Sequence, residues 1–173
     1  MEYNPQIQDL LNSLENVLVQ EFRTLQSLIT ATKQERILLN KKDPDAIMMI
    51  VEEKEALLDQ FGLLEEKRRM YITSIANSFN IKLNSVTLEE IYPGLDEVEK
   101  DRLSRLYDGI TMLVQQSRDL NFGNQALART ALDWLISAQS FLLSITNPSE
   151  SYYPPGVKPS VERATFGDLG MKA

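Results

Sequence analysis

The chain contains no cysteine and no histidine. Lack of cysteine excludes disulfides and thiolate nucleophiles, and the double absence excludes cysteine- and histidine-based metal sites. Without histidine there is no side chain whose ordinary pKa suits proton transfer near neutral pH. Glycine and proline number only seven each in 173 residues. Pro148, Pro154, Pro155 and Pro159 crowd the end of the chain, and the breaker-poor stretches before them favour long helices. The longest apolar run, Ala46 to Val51, is far short of the roughly 20 residues that cross a bilayer. The opening Met1-Glu2-Tyr3-Asn4-Pro5 lacks the basic flank and apolar stretch of a signal peptide. A cytoplasmic protein that is not integral to the membrane is expected, with a length that suits one domain or one elongated bundle.

The net charge is −7 and the isoelectric point about 4.7. An acidic chain repels phosphate backbones, so no nucleic-acid partner is expected. The basic clusters Lys41-Lys42 and Lys67-Arg68-Arg69 read as solvated surface charge. Carboxylates are plentiful, as at Glu52-Glu53, Glu55, Glu65-Glu66 and Glu89-Glu90. Paired acids can hydrolyse glycosides or hold metals, but these fall mainly on polar helix faces, where solubility and i,i+4 pairing account for them. A di-iron bundle would need Glu-x-x-His repeats. No phosphate-binding glycine loop or nucleophile elbow occurs. No catalytic residue, metal or cofactor is expected.

Asn4-Pro5 reads as a helix N-cap followed by proline at the first helical position. Three-four spacing then runs through Leu11, Leu14, Leu18, Glu21, Leu25, Leu28, Thr32, Glu35 and Leu39, a coiled-coil face interrupted at its polar members. Asp43-Pro44-Asp45 repeats the start signal. A second stripe runs through Ile47, Ile50, Lys54, Leu57, Phe61, Leu64, Arg68, Tyr71, Ile75 and Phe79. The intervening turn, Asn40 to Asp43, is short enough to make helices one and two an antiparallel hairpin. Thr87 with Glu90 fits a capping box and a short helical turn that Pro93-Gly94 ends.

The third helix has the cleanest pattern: Leu103, Leu106, Ile110, Leu113, Ser117, Leu120, Asn124, Leu127, Ala131, Trp134, Ala138, Phe141 and Ile145. Gly109 and Gly123 interrupt it at about 1 kcal/mol each relative to alanine, and suit a bend or a close helix contact. The expected fold is all-α: an elongated antiparallel three-helix bundle over residues 1–148, with helices near 5–40, 44–79 and 95–147. An extended or disordered tail follows over 149–173.

Helices one and two should each reach roughly 53 Å and helix three roughly 75 Å at 1.5 Å per residue. Helix three therefore carries apolar length that its partners cannot cover, and its last half holds Trp134, Leu135, Phe141 and Leu142. Such a stripe needs a partner chain. The candidate binding face is Leu127, Ala131, Trp134, Leu135, Ala138, Phe141, Leu142 and Ile145. Lys54 and Arg68 are the odd members of the second stripe. They read as long side chains snorkelling along its edge; inward cations holding an anionic substrate, as in helical mutases, are the enzyme alternative. A self-assembling coiled coil, with helix three pairing into a homodimer, is the other.

Three segments resemble the FlgN family of flagellar export chaperones. The first is the hairpin Gln34-Glu35-Arg36-Ile37-Leu38-Leu39, Asp43 to Ile47, Lys54-Glu55-Ala56-Leu57-Leu58 and Leu64-Glu65-Glu66-Lys67-Arg68-Arg69. The second is Arg118-Asp119-Leu120-Asn121-Phe122-Gly123-Asn124-Gln125-Ala126-Leu127, with asparagines three apart. The third is Tyr152-Tyr153-Pro154-Pro155-Gly156. The resemblance spans roughly residues 10 to 156. It implies a non-enzymatic cytoplasmic chaperone that binds helical terminal segments of hook-associated junction proteins and prevents their premature association. It also implies delivery of them to the flagellar export gate, with Tyr152 or Tyr153 as the gate-docking residue.

Overall fold

The computed structural model describes residues 4–146. Helix α1 spans Pro5–Lys41, α2 spans Pro44–Ser78 and α3 spans Glu97–Thr146, with a 3-10 helix at Leu88–Gly94 between α2 and α3. Both proline-led starts form as the residues dictate. The Asn4 side chain accepts from the Gln6 amide and the Asp43 side chain from the Ala46 amide, satisfying N–H groups that no helical carbonyl can reach. Between the first two helices the chain reverses through Lys42, whose φ of 57° is left-handed, so α1 hands over to α2 almost at once. The expected tail, 149–173, lies outside the described residues.

The chain divides into two units, Met1–Leu132 and Asp133–Ala173. In the first, side-chain pairs give the packing order directly. Glu35 meets Lys54 and Glu21 meets Arg68, so α1 and α2 run antiparallel. Lys54 meets Asn121, and Arg68 stands over Tyr107, so α2 and α3 run antiparallel as well. Glu15 meets Arg102, and Asn124 donates to the Thr32 carbonyl, which makes α1 and α3 parallel. The order is up-down-up, as short connections require.

The core of this unit is built from Leu11, Leu14, Leu18, Leu25 and Leu28 of α1, Ile72, Ile75 and Ala76 of α2, and Leu103 and Ile110 of α3. Leu88 and Ile91 of the 3-10 helix seal it and expose no surface. The expected capping box at Thr87 does not form: Thr87 makes no side-chain cap. The Glu90 carboxylate instead accepts from the backbone amides of Asn84 and Ser85 and from the Ser85 hydroxyl. Those bonds, the Ser85 amide foremost, hold its carboxyl below the usual glutamate range. The acid thus ties the turn that precedes its helix rather than the helix end. Gly94 is required here by contact, since a Cβ would stand 2.5 Å from the Phe79 ring.

Candidate partner-binding surface

The polar members of the three stripes find one another in the first unit. Arg68 Nε donates to Glu21 Oε1 at 3.0 Å, and its guanidinium lies 5.6 Å from the centre of the Tyr107 ring. Glu21 has no exposed surface, and its Oε2 accepts no hydrogen bond among the described residues. Desolvation raises its pKa above the ordinary glutamate value, against the pull of Arg68. Two heptads further along α1, Lys54 Nζ donates to Glu35 Oε2 at 2.6 Å and to Asn121 Oδ1 at 3.2 Å. Asn124 completes this second layer. Its amide donates to the Thr32 carbonyl and to Glu35 Oε2, both at 2.7 Å, while its Oδ1 accepts from Arg36 Nε at 2.9 Å.

Lys54 and Arg68 are therefore not snorkelling cations. Their side chains are only 13% and 11% exposed, and each is neutralised by a glutamate that interrupts the α1 stripe. The physical reason is register: placing glutamates of α1 opposite cations of α2 leaves each charge a partner in place of water. That pairing also consumes both cations, so they form no open anion site. Gly123 serves the same layer, because a Cβ there would overlap the Arg36 guanidinium. The motifs that carry the family resemblance, around Glu35, Lys54, Arg68 and Asn121 to Asn124, are in large part the residues of these buried layers.

The raised pKa of Glu21 gives a signed expectation. Between the ordinary glutamate value and the raised one, the folded chain holds a proton that the unfolded chain has lost, so this group's contribution to stability falls as pH rises. The margin of the wild type over Glu21→Gln is expected to widen as pH is lowered from 7 towards 4.5. Paired urea melts across that range measure it; a margin that narrows on acidification contradicts the assignment.

The candidate binding residues lie elsewhere. Leu127, 37% exposed, and Ala131, also exposed, fall in the first unit. In the second, the described residues are a single helical stretch, Asp133 to Thr146. There Trp134 is 62% and Phe141 64% exposed. Leu135, Leu142 and Ile145 are likewise more than half exposed, and Ala138 is partly so. Ile136 and Leu143, absent from the sequence-derived face, are also more than half exposed. The one signal that could have found them is the lack of any charged residue from Trp134 to Thr146. Tyr152 and Tyr153 lie outside the described residues. Among the described residues no helix is long and apolar enough to cross a membrane.

Among the described residues the interior cations of the bundle, Lys54 and Arg68, are paired with glutamates, while Trp134 and Phe141 stand exposed on the last stretch of α3. The FlgN protein family model matches residues 1–160, and the chain belongs to the FlgN family. Members of that family are non-enzymatic, cytoplasmic flagellar export chaperones for hook-associated proteins. No curated protein and no solved structure matches the chain.

Proposed function

We propose that this protein holds a helical terminal segment of a hook-associated protein against the apolar end of α3, and so keeps that segment from associating before export. The exposure of Trp134 and Phe141 carries this reading. Large aromatic side chains in water are unfavourable by about 25 cal/mol for each Å² of apolar surface, and an amphipathic helix laid along them would remove that exposure. Leu135, Ala138, Leu142 and Ile145 extend the contact, and Leu127 and Ala131 precede them in the same three-four series. Trp134 and Phe141 are the anchors, since aromatic residues dominate binding energy in well-packed contacts. The absence of charge from Trp134 to Thr146 favours a partner face that is itself apolar. Delivery to the export gate completes the role; Tyr152 and Tyr153 are assigned to it on the family resemblance alone.

The test is calorimetric titration of the full chain with purified hook-associated proteins of the same organism and with their helical terminal segments. Saturable binding to at least one is expected, with a negative heat-capacity change from apolar burial. Failure to bind any of them overturns the reading.

A further inference from the structure

Helix α2 carries two lines of side chains at coiled-coil spacing. One packs into the bundle and includes the buried Ile50, Leu64 and Ile75. The other faces water. Met49, Ala56, Leu63 and Met70 recur every seven residues, so they form a single row along the helix. Met49 is 71%, Leu63 61% and Met70 55% exposed, and Ala56 is exposed as well. Between them, in the same steps of three and four, stand Glu52, Asp59 and Glu66, all exposed. Apolar and acidic side chains thus alternate without a break from Met49 to Met70, over roughly 32 Å of helix at 1.5 Å per residue. Other surface acids are paired, as Glu65 is with Arg68, Glu99 with Arg102 and Asp101 with Arg105. Among the described residues Glu52, Asp59 and Glu66 meet no cation. Single exposed apolar residues are ordinary on a protein surface, but solubility alone gains nothing from leucine or methionine at every second position of such a row.

We infer that this outer row of α2 is a second docking surface, and that its occupant is a basic amphipathic helix of another protein. In that helix apolar residues alternate with lysine or arginine at the same three-four spacing. Charge complementarity selects this occupant. Each of Glu52, Asp59 and Glu66 would lie inside the contact, where a carboxylate needs a cation or a hydrogen-bond donor in place of water. A second copy of the chain does not supply one. Laid parallel on the same row, acid would face acid; laid antiparallel, each acid would face an apolar side chain. The chain's own residues 147–173 are not basic either, since Glu150, Glu162 and Asp168 balance Lys158, Arg163 and Lys172. Nucleic acids and anionic lipid surfaces are repelled by the same carboxylates. Methionine at both ends of the row suits a helix partner, because its flexible, polarisable side chain adapts to the surface laid on it. The surface belongs to the first unit of the chain, Met1–Leu132, and does not depend on the proposed function of the α3 end.

The probe is a synthetic helical peptide of four heptads with leucine and lysine alternating at three-four spacing and alanine and glutamine elsewhere. It is made in both orders, Leu-x-x-Lys and Lys-x-x-Leu, to serve the two chain directions. Fluorescence anisotropy against the full chain is expected to show saturable binding by one of them, weakening as salt rises. The same peptide with glutamate for lysine, or with serine for leucine, is expected not to bind. Leu63→Gln is expected to weaken binding about 10-fold, and Glu52→Gln, Asp59→Asn and Glu66→Gln combined by about 30-fold or more. All four positions are exposed, and far-UV circular dichroism checks that the variants stay helical. Glu97→Gln, an exposed acid of α3 away from the row, is expected to leave binding unchanged. If neither peptide order binds, or if Glu97→Gln costs as much as the triple variant, the attraction is not specific to the row and the inference is wrong. Binding that survives serine in place of leucine overturns it as well, since charge alone would then account for the affinity. Sedimentation of the free chain covers the remaining occupant: a dimer that Leu63→Gln dissociates assigns the row to a second copy and overturns the inference.

Discussion

Trp134→Asp and Phe141→Asp are each expected to reduce binding of the hook-associated protein by at least about 2 kcal/mol, roughly 30-fold in affinity. An aspartate at either position puts a charge where the partner's apolar face must lie, and it cannot be desolvated without a partner of its own. The same substitutions should leave the fold alone. Both side chains are more than 60% exposed, and surface changes of this kind usually alter stability by less than about 0.5 kcal/mol. The far-UV helical signal and the melting temperature are therefore expected to stay near those of the wild type while calorimetry loses its signal. A collapse of the helical signal in either variant would mean that the side chain is part of the core, and the binding face would then have to be sought elsewhere.

Arg68→Met is expected to destabilise the bundle by about 3–5 kcal/mol, because it strands the fully buried Glu21 carboxylate without its cation. For a chain of this length that corresponds to a fall of roughly 10 °C in melting temperature. The companion variant separates the pair's worth from the penalty of breaking it. Replacing both members, Glu21→Leu with Arg68→Met, removes the two desolvated charges and the unsatisfied Oε2 together. It is expected to recover most of the loss or to exceed the wild type, as replaced buried ion pairs often do. If the double variant is as unstable as Arg68→Met alone, the pair contributes net stability that packing cannot replace. Should the double variant be stable yet poorer at holding one helix register, seen as broadened amide resonances, the charges would act as alignment pins for three otherwise uniform apolar stripes.

This division between local and distant interactions explains what could be read without coordinates. The helix starts at Asn4-Pro5 and Asp43-Pro44 were legible because a cap acts within three residues of itself. The apolar stripes were legible because 3.6 residues per turn makes a face visible in the order of residues alone. The Thr87–Glu90 capping box met the same local pattern, yet Glu90 bonds the Asn84 and Ser85 amides instead. A carboxylate has alternatives on both sides of a turn, and the chain's path chooses between them.

Residue order alone determined that this is a helical, acidic, cysteine- and histidine-free chain with an apolar surplus in its third helix, because periodicity and composition need no partner to be seen. The tertiary structure decided what the polar interruptions are for. Glu21 and Arg68 lie 47 residues apart, and Asn124 and Thr32 lie 92 apart, so neither pairing exists until α1, α2 and α3 are in register. It decided too that Ile136 and Leu143 join Trp134 and Phe141 at the surface, since whether an apolar residue is covered depends on what packs against it.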